Sequence, residues 1–295
     1  MKLAIITCQK LPKGVTDDQV LLTALNELEI KTETLAWNAD VQWSKFDACL
    51  LRSVWDYHES PKQFSTWLTT TSLQTPIINS KNIILWNQNK SYLKDLADFG
   101  ITIAPTLWLQ KERTESIKQL IQSMPTKQYL LKPNIGADSS GTLRFENNQQ
   151  GLKQAQRHLN EWLPHVDMML QPYLPAVETF GETSAIYFNG SFSHAVRKIP
   201  QNGDYRVQDT FGAKDVIYQP NAAEMALSKA CVNYIKNRFE QVMYARFDFL
   251  HDANGTVFLN EAELIEPSLF FNHAPQSARL FAQHIHQFLS HLNTS

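Results

Sequence analysis

The densest set of chemically able residues lies in Tyr244-Ala-Arg-Phe-Asp-Phe-Leu250 and, past His251-Asp-Ala-Asn-Gly255, in Thr256-Val-Phe-Leu-Asn-Glu-Ala-Glu263. The pattern reads as a β-hairpin. Side chains alternate along a strand, so Arg246 and Asp248 share one face, as do Glu261 and Glu263. A four-residue loop, Asp252 to Gly255, pairs His251 with Thr256. It sets Glu261 opposite Arg246 and diagonal to Asp248. Three carboxylates on one face repel unless a cation lies between them. Hard oxygen ligands without His or Cys suit Mg²⁺, which takes phosphate oxygens as its remaining ligands. An edge hairpin with solvated charges is the alternative.

Cations elsewhere supply complementary charge. Lys132 closes Tyr129-Leu-Leu-Lys132, just before the small-residue loop Pro133-Asn-Ile-Gly-Ala-Asp-Ser-Ser-Gly-Thr142. There it reaches phosphate oxygens while the amides of Gly136 to Gly141 cover them, or it is a solvated strand end. Lys90 stands near the start of a helix expected from Asn89 to Phe99. That is against the dipole by roughly a few tenths of a kcal/mol and hints at an anionic ligand. Met168-Met-Leu-Gln-Pro-Tyr-Leu-Pro-Ala-Val-Glu178 is a strand running into a Pro-punctuated connection. Its backbone edge suits an adenine and Glu178 a ribose, or it is a plain crossover. Arg197, Lys198 and Arg206 form a basic cluster fit for a phosphoryl group or a carboxylate, or a solvated hairpin end. His58 and His194 have no ligand-type spacing and read as structural. GxxxxGK[ST], GxGxxG and Ser-His-Asp patterns are absent.

The elements that must position these groups follow a rhythm that changes partway. Residues 1 to about 80 alternate strand and helix, which argues for a parallel sheet covered by helices. Strands are expected at Leu3 to Thr7, Lys31 to Leu35, Asp47 to Leu51 and Pro76 to Ile78, with helices at Thr16 to Leu28 and Pro61 to Thr70. Ligand contacts collect past the carboxyl ends of such strands, where Arg52-Ser-Val-Trp-Asp-Tyr57 stands. Gly100 closes the Asn89 helix. Beyond it, Asn189-Gly190 between Thr183–Phe188 and Ser191–Lys198 is a hairpin signal. Helices are expected near Glu115 to Ser123 and over Gln149 to Leu163, Ala222 to Arg238 and Gln276 to Leu292. The second part is α+β with antiparallel hairpins.

Composition narrows the classes. The chain has 295 residues, 43% hydrophobic and 19% charged, with a formal net charge of -2. That is an ordinary globular make-up with no bias toward nucleic acid or an anionic membrane. Cys8, Cys49 and Cys231 form no CxxC, so a reducing cytoplasm is expected. The opening apolar run is too short for a signal peptide. No run approaches the roughly 18 apolar residues of a spanning helix.

Taken in order, Asn89-Lys90, Leu131-Lys132-Pro133 before the Gly/Ser loop, Gln171-Pro-Tyr-Leu174 with Glu178, Gly181-Glu182, Gly203-Asp-Tyr-Arg-Val207 with Phe211-Gly212, Arg246-Phe-Asp248 and Glu261-Ala-Glu-Leu-Ile-Glu-Pro267 resemble the ATP-grasp superfamily. The glutathione-synthetase-like branch fits best. Within it, the Arg52-to-Tyr57 segment and Ser193-His-Ala-Val-Arg-Lys198 are similar to the cyclo-ligases of D-cycloserine biosynthesis.

The resemblance implies a fold that is α/β plus α+β. An N-terminal substrate-binding domain (1–85), a mobile lid subdomain (86–172) and a C-terminal ATP/Mg subdomain (173–295) compose it. It implies Lys90 and Lys132 on the ATP phosphates, Gln171, Tyr173 and Leu174 along the adenine, and Glu178 on the ribose. Asp248, Glu261 and Glu263 hold Mg²⁺, with Mn²⁺ as an alternative ion and Glu266 as an alternative ligand. Arg206 and Arg246, with Lys198, stabilise charge on the transferring group. By its own residues the Arg52-to-Tyr57 segment, with a cation, a hydroxyl, an indole and a carboxylate, suits a small zwitterion such as an amino acid, with Arg52, Ser53, Asp56 and Tyr57 as the expected substrate contacts. Gln171 stands where many members carry Glu, and Glu263 where many carry Asn. The implied chemistry is carboxylate–amine or cyclo-ligation through an acyl phosphate, behind a lid at Asn134 to Ser140 that excludes water. A kinase-like member and a non-catalytic ATP sensor are the competing readings, and a homodimer stays open.

Overall fold

The computed structural model describes residues 1–137, 139–239 and 241–292. Asp138, within the expected lid, therefore lies outside the described residues, as do Glu240 and 293–295 at the chain end.

The first sheet is parallel, in the order β2-β1-β3-β4, from β1 (Lys2–Thr7), β2 (Lys31–Ala36), β3 (Ala48–Ser53) and β4 (Ile77–Ile78). β1 and β3 are apolar runs buried on both faces, as a covered parallel sheet requires. α1 (Gln19–Glu27) buries Leu21, Ala24 and Leu25, a stripe at helical spacing, and α2 (Pro61–Ser72) starts on a proline at its first position. Residues 16–18, expected within the first helix, form a separate 3-10 turn.

Two short helices follow where one was expected. α3 (Lys81–Asn87) precedes α4 (Tyr92–Asp98), and Asn89 to Ser91 turn between them. Gly100 (φ 98°) ends α4 as expected: its amide bonds Ala97 and that of Ile101 bonds Leu96.

The second sheet is antiparallel, β5-β8-β6-β7, from β5 (Leu107–Leu109), β6 (Gln128–Pro133), β7 (Leu143–Glu146) and β8 (Met168–Pro172). α5 (Ile117–Leu120) and α6 (Gln149–Trp162) cover it; Leu120, Ala155 and Leu159 share its core with Tyr129 and Leu170. After α7 (Ala176–Thr179) comes a third, five-stranded sheet, β11-β10-β9-β12-β13. Its strands are β9 (Glu182–Phe188), β10 (Ser191–Ile199), β11 (Lys214–Ile217), β12 (Tyr244–His251) and β13 (Val257–Glu263). Asn189 (φ 47°) and Gly190 (φ 72°) make the tight turn that the Asn-Gly pair demands. β11 has no counterpart in the sequence reading.

α8 (Ala222–Phe239) and α9 (Pro275–Leu292) complete the chain. α9 buries Ala278, Phe281, Ala282, Ile285 and Leu289, and these join Leu3, Leu25, Phe188 and Tyr244 in one core. The last helix thus welds the first sheet to the third. α4 likewise packs on the third sheet, with Leu93 and Leu96 against Phe247 and Leu259. No helix among the described residues is long and apolar enough to cross a membrane.

Candidate active site

β12 and β13 form the floor of a cavity of about 530 Å³. Their register differs from the expectation. His251 pairs with Val257, so residues 252–256 connect the strands. That one-residue slip alone would turn Glu261 and Glu263 onto the apolar face, because the side-chain period is two. A bulge at Asn260, between the pairs Phe249–Leu259 and Asp248–Glu261, restores the parity. Glu261 is therefore opposite Asp248, and Glu263, not Glu261, is opposite Arg246. The shared face survives the correction.

β13 is an edge strand, and its free side is held by the Leu259 amide, which donates to the Thr102 carbonyl (2.9 Å), and by side chains. The Asn87 amide donates to the Ala262 carbonyl (2.6 Å) and accepts from the Leu264 amide (2.9 Å); the Tyr92 hydroxyl accepts from the Ala262 amide (2.9 Å). α3 and α4 therefore fix the height of Glu261 and Glu263.

Cations and carboxylates interleave on the floor. Asp248 is almost fully buried. It accepts from Arg246 Nε (2.9 Å) and Nη2 (2.8 Å), from the Ser184 hydroxyl (2.7 Å) and from Lys198 Nζ (3.2 Å). Burial works to raise its pKa, but Arg246 and Lys198 outweigh it and hold the carboxyl well below the usual range. Arg246 also pairs with Glu263, and its Nη1 donates to the Ser268 carbonyl (3.2 Å). Lys198 bridges Asp248 and Glu182, and Glu182 accepts from Asn260 Nδ2 (2.7 Å). Glu261 lies 3.4 Å from Lys90 Nζ and 3.9 Å from Lys132 Nζ. Its carboxyl is held low against burial by those two lysines. Burial, with Lys90 adding, pulls the Lys132 pKa down, the state that an incoming polyanion would reverse.

Three carboxyls behave oppositely, and burial raises the first of them, Glu182, despite its neighbour Lys198. Burial, reinforced by Asp248 and Glu261 and opposed by Arg246, pushes Glu263 up to about 7. Burial and then the neighbouring Glu263 push Glu266 up to about 8.

Most of the residues singled out in the sequence line this cavity: Lys90, Lys132, Gln171, Tyr173, Leu174, Lys198, Arg206, Arg246, Asp248, Glu261, Glu263 and Tyr57. Lys90 lies in the turn before α4 rather than inside a helix. Its amide donates to Asn134 (2.8 Å) and its Nζ to Gly136 (3.1 Å), tying it to the small-residue loop. Gln171 Nε2 is engaged with the Thr106 hydroxyl (2.9 Å). Arg206 sits at the rim, forked onto Asp204 (2.7 Å from Nη2) with its guanidinium 3.7 Å from the Phe211 ring centre.

Four others fall outside the lining. Glu178 accepts from the Tyr173 hydroxyl (2.6 Å) and pairs with Arg144 (2.8 Å). Arg52 and Ser53 are the last residues of β3 rather than the loop after it. Arg52, 1% exposed, bonds Asp18 (2.9 and 3.1 Å) and the Pro267 carbonyl (3.0 Å); Ser53 bonds the Thr7 hydroxyl (2.8 Å). Asp56 accepts from the Trp37 indole (2.7 Å). His194 bridges Ser193 and the Leu269 carbonyl, and His58 bonds Trp55, the structural roles read from sequence.

Trp55, the indole of the segment expected to meet a zwitterion, lines the cavity, and so do Glu182 and Asn260, to which the sequence gave no role. Glu182 was findable, since it shares the face of Ser184 by strand alternation. Asn260 was not, because its place depends on the bulge.

Among the described residues no three His, Cys or acidic groups are gathered at metal-ligand spacing, because Asp248, Glu261 and Glu263 each lean on a protein cation. The donor chemistry nonetheless fits a hard divalent ion. The floor carries five carboxylates (Glu182, Asp248, Glu261, Glu263, Glu266) against four cations (Lys90, Lys132, Lys198, Arg246), and Asp248, Glu261 and Glu263 present hard oxygen donors on one face with no His or Cys among them.

Comparison with known proteins sharpens this geometry. Residues 94–251 match the model of the prokaryotic glutathione synthetase ATP-grasp domain, and residues 3–79 that of the D-cycloserine synthetase DcsG N-terminal domain. The chain is 29% identical over 273 residues to the cycloserine biosynthesis protein DcsG of Streptomyces lavendulae, covering 89% of this chain and 90% of that one. The crystal structure of D-cycloserine synthetase DcsG superposes with a TM-score of 0.86 at 25% identity, over 98% of this chain and 100% of that one. An ATP complex of D-alanine–D-alanine ligase from Bacillus anthracis, 16% identical, shares the fold with a TM-score of 0.67 over 100% of this chain and 99% of that one.

Proposed function

The chain belongs to the prokaryotic glutathione synthetase ATP-grasp family and is an ATP-dependent ligase; from that premise we propose that it activates a small amino-acid-like carboxylate as an acyl phosphate and joins it to an amine, or closes it on an internal one. The observation that carries this reading is the interleaved floor, with Lys90–Glu261–Lys132 at one side and Lys198–Asp248–Arg246 at the other.

A substrate carboxylate oxygen attacks the γ-phosphorus of ATP, the bond to the bridging oxygen breaks, and ADP leaves. The amine then attacks the acyl carbon, loses a proton, and expels phosphate. Two anions meet in the first step, so fixed positive charge is the main requirement. In this reading Lys90 and Lys132 take the ATP phosphates, and Arg246 and Lys198, paired with Asp248 and Glu182, take the charge on the transferring and acyl groups. Arg206 is released from Asp204 to join them when the site fills. Asp248, Glu261 and Glu263 would hold Mg²⁺, or Mn²⁺ in its place, and the ion would supply charge neutralisation to the phosphates.

The base lies along Gln171, Tyr173 and Leu174, and Glu178, adjoining through Tyr173, serves the ribose. The segment 134–140 closes over the site and keeps water from the acyl phosphate, in a frame of three units at 1–85, 86–172 and 173–295. The enzyme acts in the cytoplasm on a small molecule. Mg²⁺-dependent ADP release across a panel of amino acids, ureido acids and hydroxy acids tests the proposal. Release stimulated by one class and lost in Lys132→Met is the expected result, and a stable phosphorylated product without ligation would overturn it.

A further inference from the structure

Four of the five floor carboxylates have a cation within 4 Å: Glu182 has Lys198, Asp248 has Arg246 and Lys198, Glu261 has Lys90, and Glu263 has Arg246. Glu266 has none. It is 9% exposed, lines the cavity, and its carboxylate bonds no side chain among the described residues. Lys90 and Arg246 act on it only from beyond ion-pair distance; a buried carboxylate without a close counter-charge is costly, and it persists in a cleft where a ligand completes it.

Its surroundings say what kind of ligand. The Trp55 indole N–H donates to the backbone carbonyl of Glu266 (3.3 Å), which ties this side chain to the Glu266 segment, and Trp55 is 37% exposed and lines the cavity. Tyr57 is 7% exposed and lines the same wall, and its hydroxyl bonds no described residue. An indole face, a phenol and a lone carboxylate suit an organic ammonium, which gains from the ring quadrupole and from the charge together. They suit Mg²⁺ poorly, because that ion keeps its waters and its octahedron of oxygens. Two residues on, the Ser268 carbonyl holds Arg246 Nη1, whose second N–H bonds no described residue.

We propose that Glu266, flanked by Trp55 and Tyr57, binds the ammonium group of the substrate, while Arg246 faces its carboxylate. Glu266 is thus the residue that selects amino acids over plain carboxylic acids. The inference rests on the ligase reading of the same cavity and deepens it to a substrate class: a small zwitterion with a free primary amine. It also removes Glu266 from the set of metal ligands.

The test is calorimetric binding to the full chain with Mg²⁺ and a non-hydrolysable ATP analogue, using matched pairs: alanine against propionate and serine against 3-hydroxypropionate, each chiral member as both enantiomers. ADP release with ATP runs in parallel. At least one amino member is expected to bind and its des-amino partner not. Glu266→Gln weakens that binding about 10- to 100-fold, the worth of one charged hydrogen bond, with the KM for ATP little changed. Glu266→Asp, which keeps the charge, recovers part of the loss, so a merely misfolded site is separated from a lost anchor. Equal binding of the des-amino partners, no binding by any amino member, or a Glu266→Gln variant that needs more Mg²⁺ with amine affinity intact would each overturn the proposal. Amine binding lost in Glu266→Gln, with no ADP released by any compound, would keep the anchor and remove the ligase reading.

Discussion

Arg52 and Arg246 are both buried arginines on central strands, 1% and 7% exposed, and both are paired with carboxylates, yet only Arg246 lines the cavity. Arg52 meets Asp18 and a carbonyl in a closed interior. That pair is imperfect: Asp18 Oδ2 and Arg52 Nη1 have no partner among the described residues, and burial pushes the Asp18 carboxyl up despite the guanidinium. Arg246 meets two carboxylates beside open space, and beyond them the acid excess is uncompensated. Pairing therefore does not separate a structural arginine from a functional one. The balance of charge around the pair, and the presence of a cavity, do.

The comparison can be broken most sharply at Arg246. Arg246→Met is expected to lower kcat about 100- to 1,000-fold in the ADP-release assay, the usual loss for one positioned donor at developing charge. Asp248 keeps Lys198, so the variant should still fold. If turnover survives, Arg246 is structural after all.

Arg52→Ala strands Asp18 in the core and should cost about 3–5 kcal/mol in urea unfolding, with the ATP KM of the folded protein unmoved. The double change Asp18→Leu with Arg52→Met should recover most of that loss, because two buried charges and their desolvation vanish together. A variant at Arg52 that loses substrate affinity while keeping its stability would return Arg52 to the site.

A smaller effect is expected from pH. Glu263 and Glu266 are raised in the fold to about 7 and about 8 from ordinary carboxyl values. The native state thus binds more protons than the unfolded chain between about pH 4.5 and 8. Stability from these groups is fully present below the unfolded value and is lost as pH rises through the folded one. Thermal unfolding of metal- and nucleotide-free protein should show stability falling steadily across that window. Glu266→Gln should remove its share of the decline and leave that of Glu263. A flat wild-type profile would mean the acid excess is already neutralised.

The smallest effect sharpens the same point. Lys10 and Glu59 pair at 2.7 Å on the surface, and Lys10→Met should leave the unfolding midpoint unmoved within error.

What could be read along the chain was whatever neighbours in sequence decide. The parallel sheet followed from apolar runs alternating with helical stripes, the β9–β10 hairpin from Asn189-Gly190, and the end of α4 from Gly100. The common face of Arg246, Asp248, Glu261 and Glu263 followed from strand parity, and it held although the loop was one residue longer than expected. It held because of Asn260, whose bulge no local pattern announced. Likewise β11 pairs only four residues at a sheet edge and offers little periodicity to detect.

The segment Arg52 to Tyr57 marks the limit most clearly. Its composition suggested a zwitterion site, and its members then divided: Arg52, Ser53 and Asp56 turned to Asp18, Thr7 and Trp37, while Trp55 and Tyr57 reached the cavity. Those partners lie between 19 and 46 residues away. The sequence by itself determined residue types, alternation and turn chemistry, because these act over a few residues of backbone geometry. Only the tertiary structure decided which charges cancel and which are left over. Electrostatic balance and burial depend on groups that the chain brings together from afar, and among the described residues it brings Glu266 beside Trp55 with no cation at ion-pair distance.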